Sequence, residues 1–330
     1  MNSPINNQRL LGLGLGLLLL VLLVLSSRRH SSALPLVAIA NYGPHASLSA
    51  TIEGIQQELA RQGWIDQKTV RYAISDVGFD AALIPQMVTQ LKQLNPTVMV
   101  VMTTPVAQFA KGAIKACPLV YSAITDPVAA GLIKTPEQAE STMTGSSEQQ
   151  DLQRLLAFAQ QLLPHAKRVG LLYATAESND QALVRQLQAA AAQQNMSVLA
   201  LPVNHAREVP LRLQQFRGQV DVIYVGTSGP IQPSLPVIAL ESQKMGIPVL
   251  TVDESAVKQG LVLASFGVNY TTVGVNTGQL VAALLQGADP AQLTPRYPKS
   301  ADHQGFISRQ QAAAFGIPLP PPQPYLTLVE

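Results

Sequence analysis

From residue 35 onward the chain alternates short, continuous apolar runs with longer segments whose apolar positions recur every three or four residues. The runs are PLVAIA (35–40), TVRYAI (69–74), TVMVVM (97–102), PLVYSAI (118–124), RVGLLY (168–173), MSVLAL (196–201), DVIYVG (221–226), IPVLTV (247–252) and LVLASF (261–266). Their length and Val/Ile/Leu content predict β-strands. Between them, ASLSATIEGIQQELARQG sets Ile52, Ile55 and Leu59 on one helical face, and DQALVRQLQAAAAQQN predicts another helix. Strands that are apolar throughout are buried on both faces, and strands separated by helices form parallel sheets covered on either side. The nine runs suit two doubly wound sheets better than one. The first block ends near TMTGSSEQQ, where Thr144, Gly145 and Ser146 predict a connection between lobes.

Two strand-to-helix junctions stand out, VVMTTPVAQFA at 100–110 and YSAITDPVAA at 121–130. Each leaves an apolar run, places hydroxyl or carboxylate side chains at the turn, and enters a helix through proline. Ligands of open parallel sheets sit beyond the carboxyl ends of the strands, where helix N-termini also favour an anionic group. The same residues describe an ordinary N-cap with proline in the first turn. The two roles are compatible.

Composition and charge remove several function classes. Charged residues make up 13% of the 330 and the net charge is +2, which gives no electrostatic footprint for nucleic acid. The single cysteine, Cys117, excludes an internal disulfide framework and a multi-cysteine metal site, and reads as a small buried residue near a strand start. The histidines at 30, 45, 165, 205 and 303 show no metal-ligand spacing, and GTSGP (226–230) lacks the spacing of a nucleophile elbow. The expectation is a protein that is not an enzyme and uses no cofactor or metal.

The N-terminus differs from the rest. Arg9 precedes 16 apolar residues, 10 to 25, which predict export. Gly12, Gly14 and Gly16 lie within that run, with neither the strand before them nor the acid after them that a dinucleotide loop needs. Ser31 and Ala33 offer cleavage after Ala33, whereas Arg28 and Arg29 directly after the run are unusual for a cleaved signal. The run is shorter than the roughly 20 residues of a membrane helix. Cleavage and anchoring both stay open, and the absence of a nearby cysteine excludes a lipid anchor.

Beyond these physical readings, GIQQELARQGW, TTPVAQFAKGAIKACPLVYSAITDPVAAGLI, LLPHAKRVGLLYATAESN, VDVIYVGTSGP, GIPVLTVDESAVKQGLVLASFGVNY and VGVNTGQLVAALLQGADP resemble the ABC-transporter substrate-binding proteins of the tryptophan/tyrosine type. The resemblance runs from about residue 36 to 318 and implies the type I periplasmic-binding-protein architecture. That is an α/β fold of two Rossmann-like lobes with parallel sheets, joined by three crossovers and closing on a small ligand, often an aromatic amino acid. The division it implies is a signal peptide or membrane anchor at 1–33, lobe I at 36–143 plus 267–287, lobe II at 144–266 plus 288–318, and a Pro-rich tail at 319–330. The helix TTVGVNTGQLVAALLQ returns to lobe I, and the segment QGFISRQQAAAFGI belongs to lobe II.

Carried over position by position, the resemblance implies a ligand site. Lobe I supplies Asn41, Tyr42 and His45, then Thr103 with Thr104, and Thr125 with Asp126. Lobe II supplies Glu177, Ser178 and Asn179, then Thr227 with Ser228, and Asp253. Relatives commonly carry Thr-Asp-Asn where this chain has Thr227-Ser228-Gly229, so a ligand ammonium must find its countercharge elsewhere. Asp253, Asp126 and Glu177 are the acids placed for it. The function implied is that of a monomeric, exported solute-binding protein, partnered by an ABC permease and its ATPase. It would work in the periplasm or at the outer face of the cytoplasmic membrane, held there by the N-terminal segment if that is uncleaved. A membrane-tethered ligand sensor is the alternative, since fold does not separate delivery from signalling.

Overall fold

The computed structural model describes residues 34–330, so the apolar run expected to direct export and the candidate cleavage after Ala33 lie outside the described residues. The nine apolar runs form strands in two sheets. The first sheet contains β1 (Leu36–Ala40), β2 (Arg71–Ser75), β3 (Val98–Met102), β4 (Leu119–Ile124) and β5 (Met143–Ser147), in the order β2-β1-β3-β4-β5 with every pairing parallel. Helices α1 (Ala46–Arg61), α2 (Ile84–Gln93) and α3 (Thr104–Ala113) connect its first four strands. The all-apolar strands β1 and β3 are buried along their whole length, as continuous Val/Ile/Met runs require.

The chain then passes through α4 (Leu152–Leu162) into a second sheet. Its strands are β6 (Arg168–Ala174), β7 (Ser197–Val203), β8 (Val222–Val225), β9 (Val249–Thr251), β10 (Ala264–Val268), β11 (His303–Ser308) and β12 (Leu326–Val329). The order is β12-β11-β10-β9-β8-β6-β7, and only β10 and β11 run antiparallel. Helices α5 (Ser178–Gln193), α6 (Val209–Leu213), α7 (Leu235–Met245) and α8 (Glu254–Lys258) lie between the strands from β6 to β10. Each sheet has a separate apolar layer on either face.

After β10 the chain leaves the second sheet through α9 (Tyr270–Leu285), which packs on α1 of the first lobe. The two helices cross at backbone contact. A Cβ at Gly54 would lie 2.4 Å from the Thr271 carbonyl oxygen, and one at Gly274 would lie 2.2 Å from that of Thr51. Only glycine fits such an approach. Ser122 Oγ and Thr277 Oγ1, 2.7 Å apart and buried, tie α9 to β4 as well.

Three strands, β5, β11 and β12, lie outside the nine apolar runs. The segment expected as a connection, Thr144 to Ser146, is the middle of β5, and Met143 is its one large apolar residue. Its burial comes from position: a Cβ at Gly145 would fall 2.2 Å from the Tyr121 carbonyl oxygen. The chain after α9 runs along this edge, with Thr144 Oγ1 donating to Leu293 O and Arg296 N donating to Gly145 O, before it crosses to β11. Residues up to 296 therefore sit against the first sheet, beyond the expected return at 288. The Pro-rich tail ends in β12, which pairs parallel with β11, and α10 (Arg309–Ala314) lies in the connection between them. Among the described residues no helix is long and apolar enough to cross a membrane.

Candidate functional site

The carboxyl ends of β1, β3 and β4 face those of β6, β8 and β9 across a cleft. Tyr42 follows β1, Thr103 and Thr104 follow β3, and Thr125 follows β4. From the other side come Glu177 and Asn179 after β6, Thr227 and Ser228 after β8, and Val252 after β9. All of these line the cleft, together with His45. Strands ending in apolar residues and passing directly into polar turns bring these side chains to one level.

The TTP turn is built for more than capping. Thr103, the residue before α3, has φ 70°, a region that a β-branched residue adopts only under strain. Its side chain makes no capping bond to the helix, and its buried Oγ1 has no hydrogen-bond partner in the protein. Thr103 and Thr104 both line the cleft, and the first N–H groups of α3 have no partner within the helix.

Glu177 is the most connected carboxylate in the cleft. It is 6% exposed and accepts hydrogen bonds from Tyr42 Oη at 3.2 Å, Gly229 N at 3.1 Å and Asn179 Nδ2 at 3.3 Å. The Tyr42 bond joins the two lobes. Burial raises the Glu177 carboxyl above the usual range against the opposing bonds from Gly229, Asn179 and Tyr42. Gly229 makes this arrangement possible, because a Cβ there would meet Tyr42 Cε1 at 2.4 Å and Glu177 Oε1 at 2.7 Å. Asp180, next in line, is pushed up to about 7 by burial and by the Glu177 charge, and accepts from Ala174 N at 2.5 Å.

A second buried carboxylate, Glu148, was not anticipated. It lies on the first crossover and accepts from Tyr270 Oη and from Thr125 Oγ1 at 3.1 Å. Burial pushes it up to about 7, although the Tyr270 and Thr125 bonds favour its charged form. Thr125 Oγ1 and Thr227 Oγ1, 3.2 Å apart, link the lobes beside it. The apolar part of the lining is also partly new: Phe79 meets Tyr42 edge to face at 5.6 Å, with Leu48, Val252 and Tyr270 nearby. Among the described residues that line the cleft there is no Lys or Arg.

Four of the expected site residues lie off the lining. Asn41 closes its own turn, donating to Gly43 O at 2.8 Å and accepting from Tyr42 N at 2.9 Å. Asp126 caps a turn through Ala129 N at 2.9 Å and clasps the opposite lobe through Gln186 Nε2, also at 2.9 Å. Ser178 opens α5 away from the cleft. Asp253 caps α8 through Ser255 N at 2.9 Å, and its Oδ2 lies 3.6 Å from His45 Nε2. Of the three acids placed to meet an ammonium, Glu177 alone reaches the cleft, and Glu148 joins it. Phe79 and Gln232, which also line the cleft, lie several residues beyond their strands, Glu148 follows a strand that has no apolar run, and Tyr270 opens α9 just after β10.

Two Rossmann-like lobes, three crossovers and a cleft at the strand ends define a bilobal binding protein. The family model described as ABC transporter substrate binding protein matches residues 36–321, and the chain belongs to that family. It is similar to a tyrosine-binding protein of Clostridioides difficile, with 28% identity over 251 residues, 76% of this chain and 72% of the relative. Among solved structures it is similar to a conserved domain protein from Vibrio cholerae, with TM-score 0.84 and 27% identity, covering 90% of this chain and 99% of that one. A Streptococcus pneumoniae ABC domain in complex with L-Trp matches with TM-score 0.82 and 26% identity, over 88% of this chain and 97% of that one. A ligand-free, open substrate-binding protein from Clostridium difficile matches with TM-score 0.70 and 25% identity, over 90% and 99%.

Proposed function

We propose that this chain is the exported solute-binding component of an ABC importer, and that it closes its lobes on an amino acid with an aromatic or similarly bulky apolar side chain. The observation that carries this reading is the buried Glu177 cluster in an apolar cleft whose described lining offers a ligand cation two carboxylates and no competing Lys or Arg. The ammonium group meets Glu177. The carboxylate meets the Thr103–Thr104 turn, where the free hydroxyl and the N-terminus of α3 favour an anion. The apolar body lies among Tyr42, Phe79, Leu48 and Val252.

Relatives support the ligand class: one is named for tyrosine and another was solved with L-Trp. Closure is supported by the direct lobe-to-lobe bonds Tyr42–Glu177, Thr125–Thr227 and Gln186–Asp126. The higher TM-score with the L-Trp complex than with the open form agrees with it. In this reading the closed form is what a permease at the outer face of the membrane recognises.

The test is a thermal-shift panel of amino acids and their deaminated analogues on the protein without its N-terminal segment. A ligand at 100 times its Kd stabilises the folded state by about 2.7 kcal/mol. Stabilisation by aromatic amino acids but not by their deaminated analogues is expected; equal response to both, or none to either, refutes the assignment.

A further inference from the structure

A second pocket lies beside the cleft and shares Ser47, Val252 and Tyr270 with it as a common wall. Its faces come from both lobes: the first turn of α1 on one side, and α8 with β10 and β11 on the other. Asp253, which the cleft itself does not use, lines this chamber, and His45 stands at the seam with Nε2 3.6 Å from Asp253 Oδ2. His45 Nδ1 accepts from Ser47 N at 3.3 Å, so a neutral imidazole turns its N–H toward the carboxylate.

The chamber is acidic and lacks a lining cation. Asp253 and Glu254 are its charged groups, and no Lys or Arg among the described residues lines it. Glu254 is already paired with Lys258 at 2.7 Å, whose Nζ also sits 4.9 Å above the Phe306 ring. The Asp253 charge has no such Lys or Arg partner. Deeper in, Ser265 is 1% exposed, and its Oγ has no hydrogen-bond partner within the protein. A buried hydroxyl left open in a cavity wall is costly unless something in the cavity bonds to it.

We propose that this chamber binds a small organic cation, an alkylammonium or guanidinium group, with Asp253 as its countercharge and Ser265 as a hydrogen-bond acceptor. The flanking Phe306 and Tyr270 rings suit the cation's apolar stem. Because both lobes build the walls, the bound cation adds to closure. It arrives either as a separate solute or as the tail of a longer ligand whose head occupies the neighbouring cleft.

Calorimetric titration of the protein without its N-terminal segment with putrescine, agmatine and methylguanidine tests the first source, and needs no ligand in the main cleft. Titration with the dipeptides Tyr-Lys and Tyr-Leu tests the second. Binding of a free cation, or at least a tenfold preference for Tyr-Lys, is expected. Asp253→Asn should abolish that signal or weaken it at least tenfold. Asparagine still caps α8, so the variant keeps its fold. Ser265→Val should weaken it several-fold. The proposal is overturned if no free cation binds and the dipeptides bind equally or not at all, or if Asp253→Asn leaves the cation signal unchanged. Failure of aromatic amino acids to bind, with cation binding intact, would instead count against the main-cleft assignment alone.

Discussion

Replacing Glu177 by Gln separates ligand recognition from folding, because the two should move in opposite directions. The variant keeps the size of the side chain and one acceptor oxygen for Gly229 N or Tyr42 Oη, but removes the charge that would meet an ammonium group. A hydrogen bond to a charged group contributes about 1.5 to 3 kcal/mol. At 1.4 kcal/mol per decade that corresponds to roughly 10- to 150-fold in Kd. For the unliganded protein the sign reverses. Burial raises the Glu177 carboxyl, so its charged form is costly in the folded state once the pH is above the ordinary carboxyl range. A neutral Gln removes that cost, and the melting temperature near neutral pH should stay the same or rise. Calorimetry with L-tyrosine and L-tryptophan gives the affinity, and a melting scan without ligand gives the stability. An unchanged Kd would refute the argument, and so would a loss of affinity matched by an equal loss for the deaminated analogue.

Gly229→Ala drives a methyl against Tyr42 and Glu177, so ligand affinity should fall at least tenfold in calorimetry while the far-UV spectrum is preserved; an unchanged Kd would mean that the cluster can open without loss. Glu148 has a folded-state pKa of about 7 against an ordinary value near 4.5. The folded state thus holds an extra proton between those values, and this contribution to stability is full below about 4.5 and is lost as the pH rises through about 7. Glu148→Gln should flatten the melting temperature across that window, and an equally steep profile in the variant would place the titration elsewhere. Gly274→Ala puts a methyl 2.2 Å from the Thr51 carbonyl oxygen, where backbone has to move. Denaturant unfolding should show a loss of about 1 to 3 kcal/mol.

The fold was legible because its strands are written as continuous apolar runs, and all nine of those runs are strands. What stayed hidden has no such run. β5 is buried through its place beside β4 rather than through its own side chains, and β12 follows a block of prolines. The site divides along the same line. Thr103, Thr104 and Thr125 stand at the two strand-to-helix turns that the apolar pattern marks, whereas Tyr42, Glu177 and Thr227 were implied by the family resemblance. Glu148 follows the unseen β5, and Tyr270 enters the cleft from a crossover helix whose packing is set by Gly54 and Gly274. Asp126 and Asp253 carry the same signal as Thr125 and Val252, but their side chains turn into caps, an orientation that residue type and spacing do not encode.

The most direct measurement is a crystal structure of the protein without its N-terminal segment, bound to the aromatic amino acid that stabilises it most. The account predicts the ligand ammonium within hydrogen-bond distance of Glu177, its carboxylate at the Thr103–Thr104 turn, and its ring between Tyr42 and Phe79. A ligand bound in the reverse sense, with its carboxylate toward Glu177, or one bound outside this cleft, would contradict it.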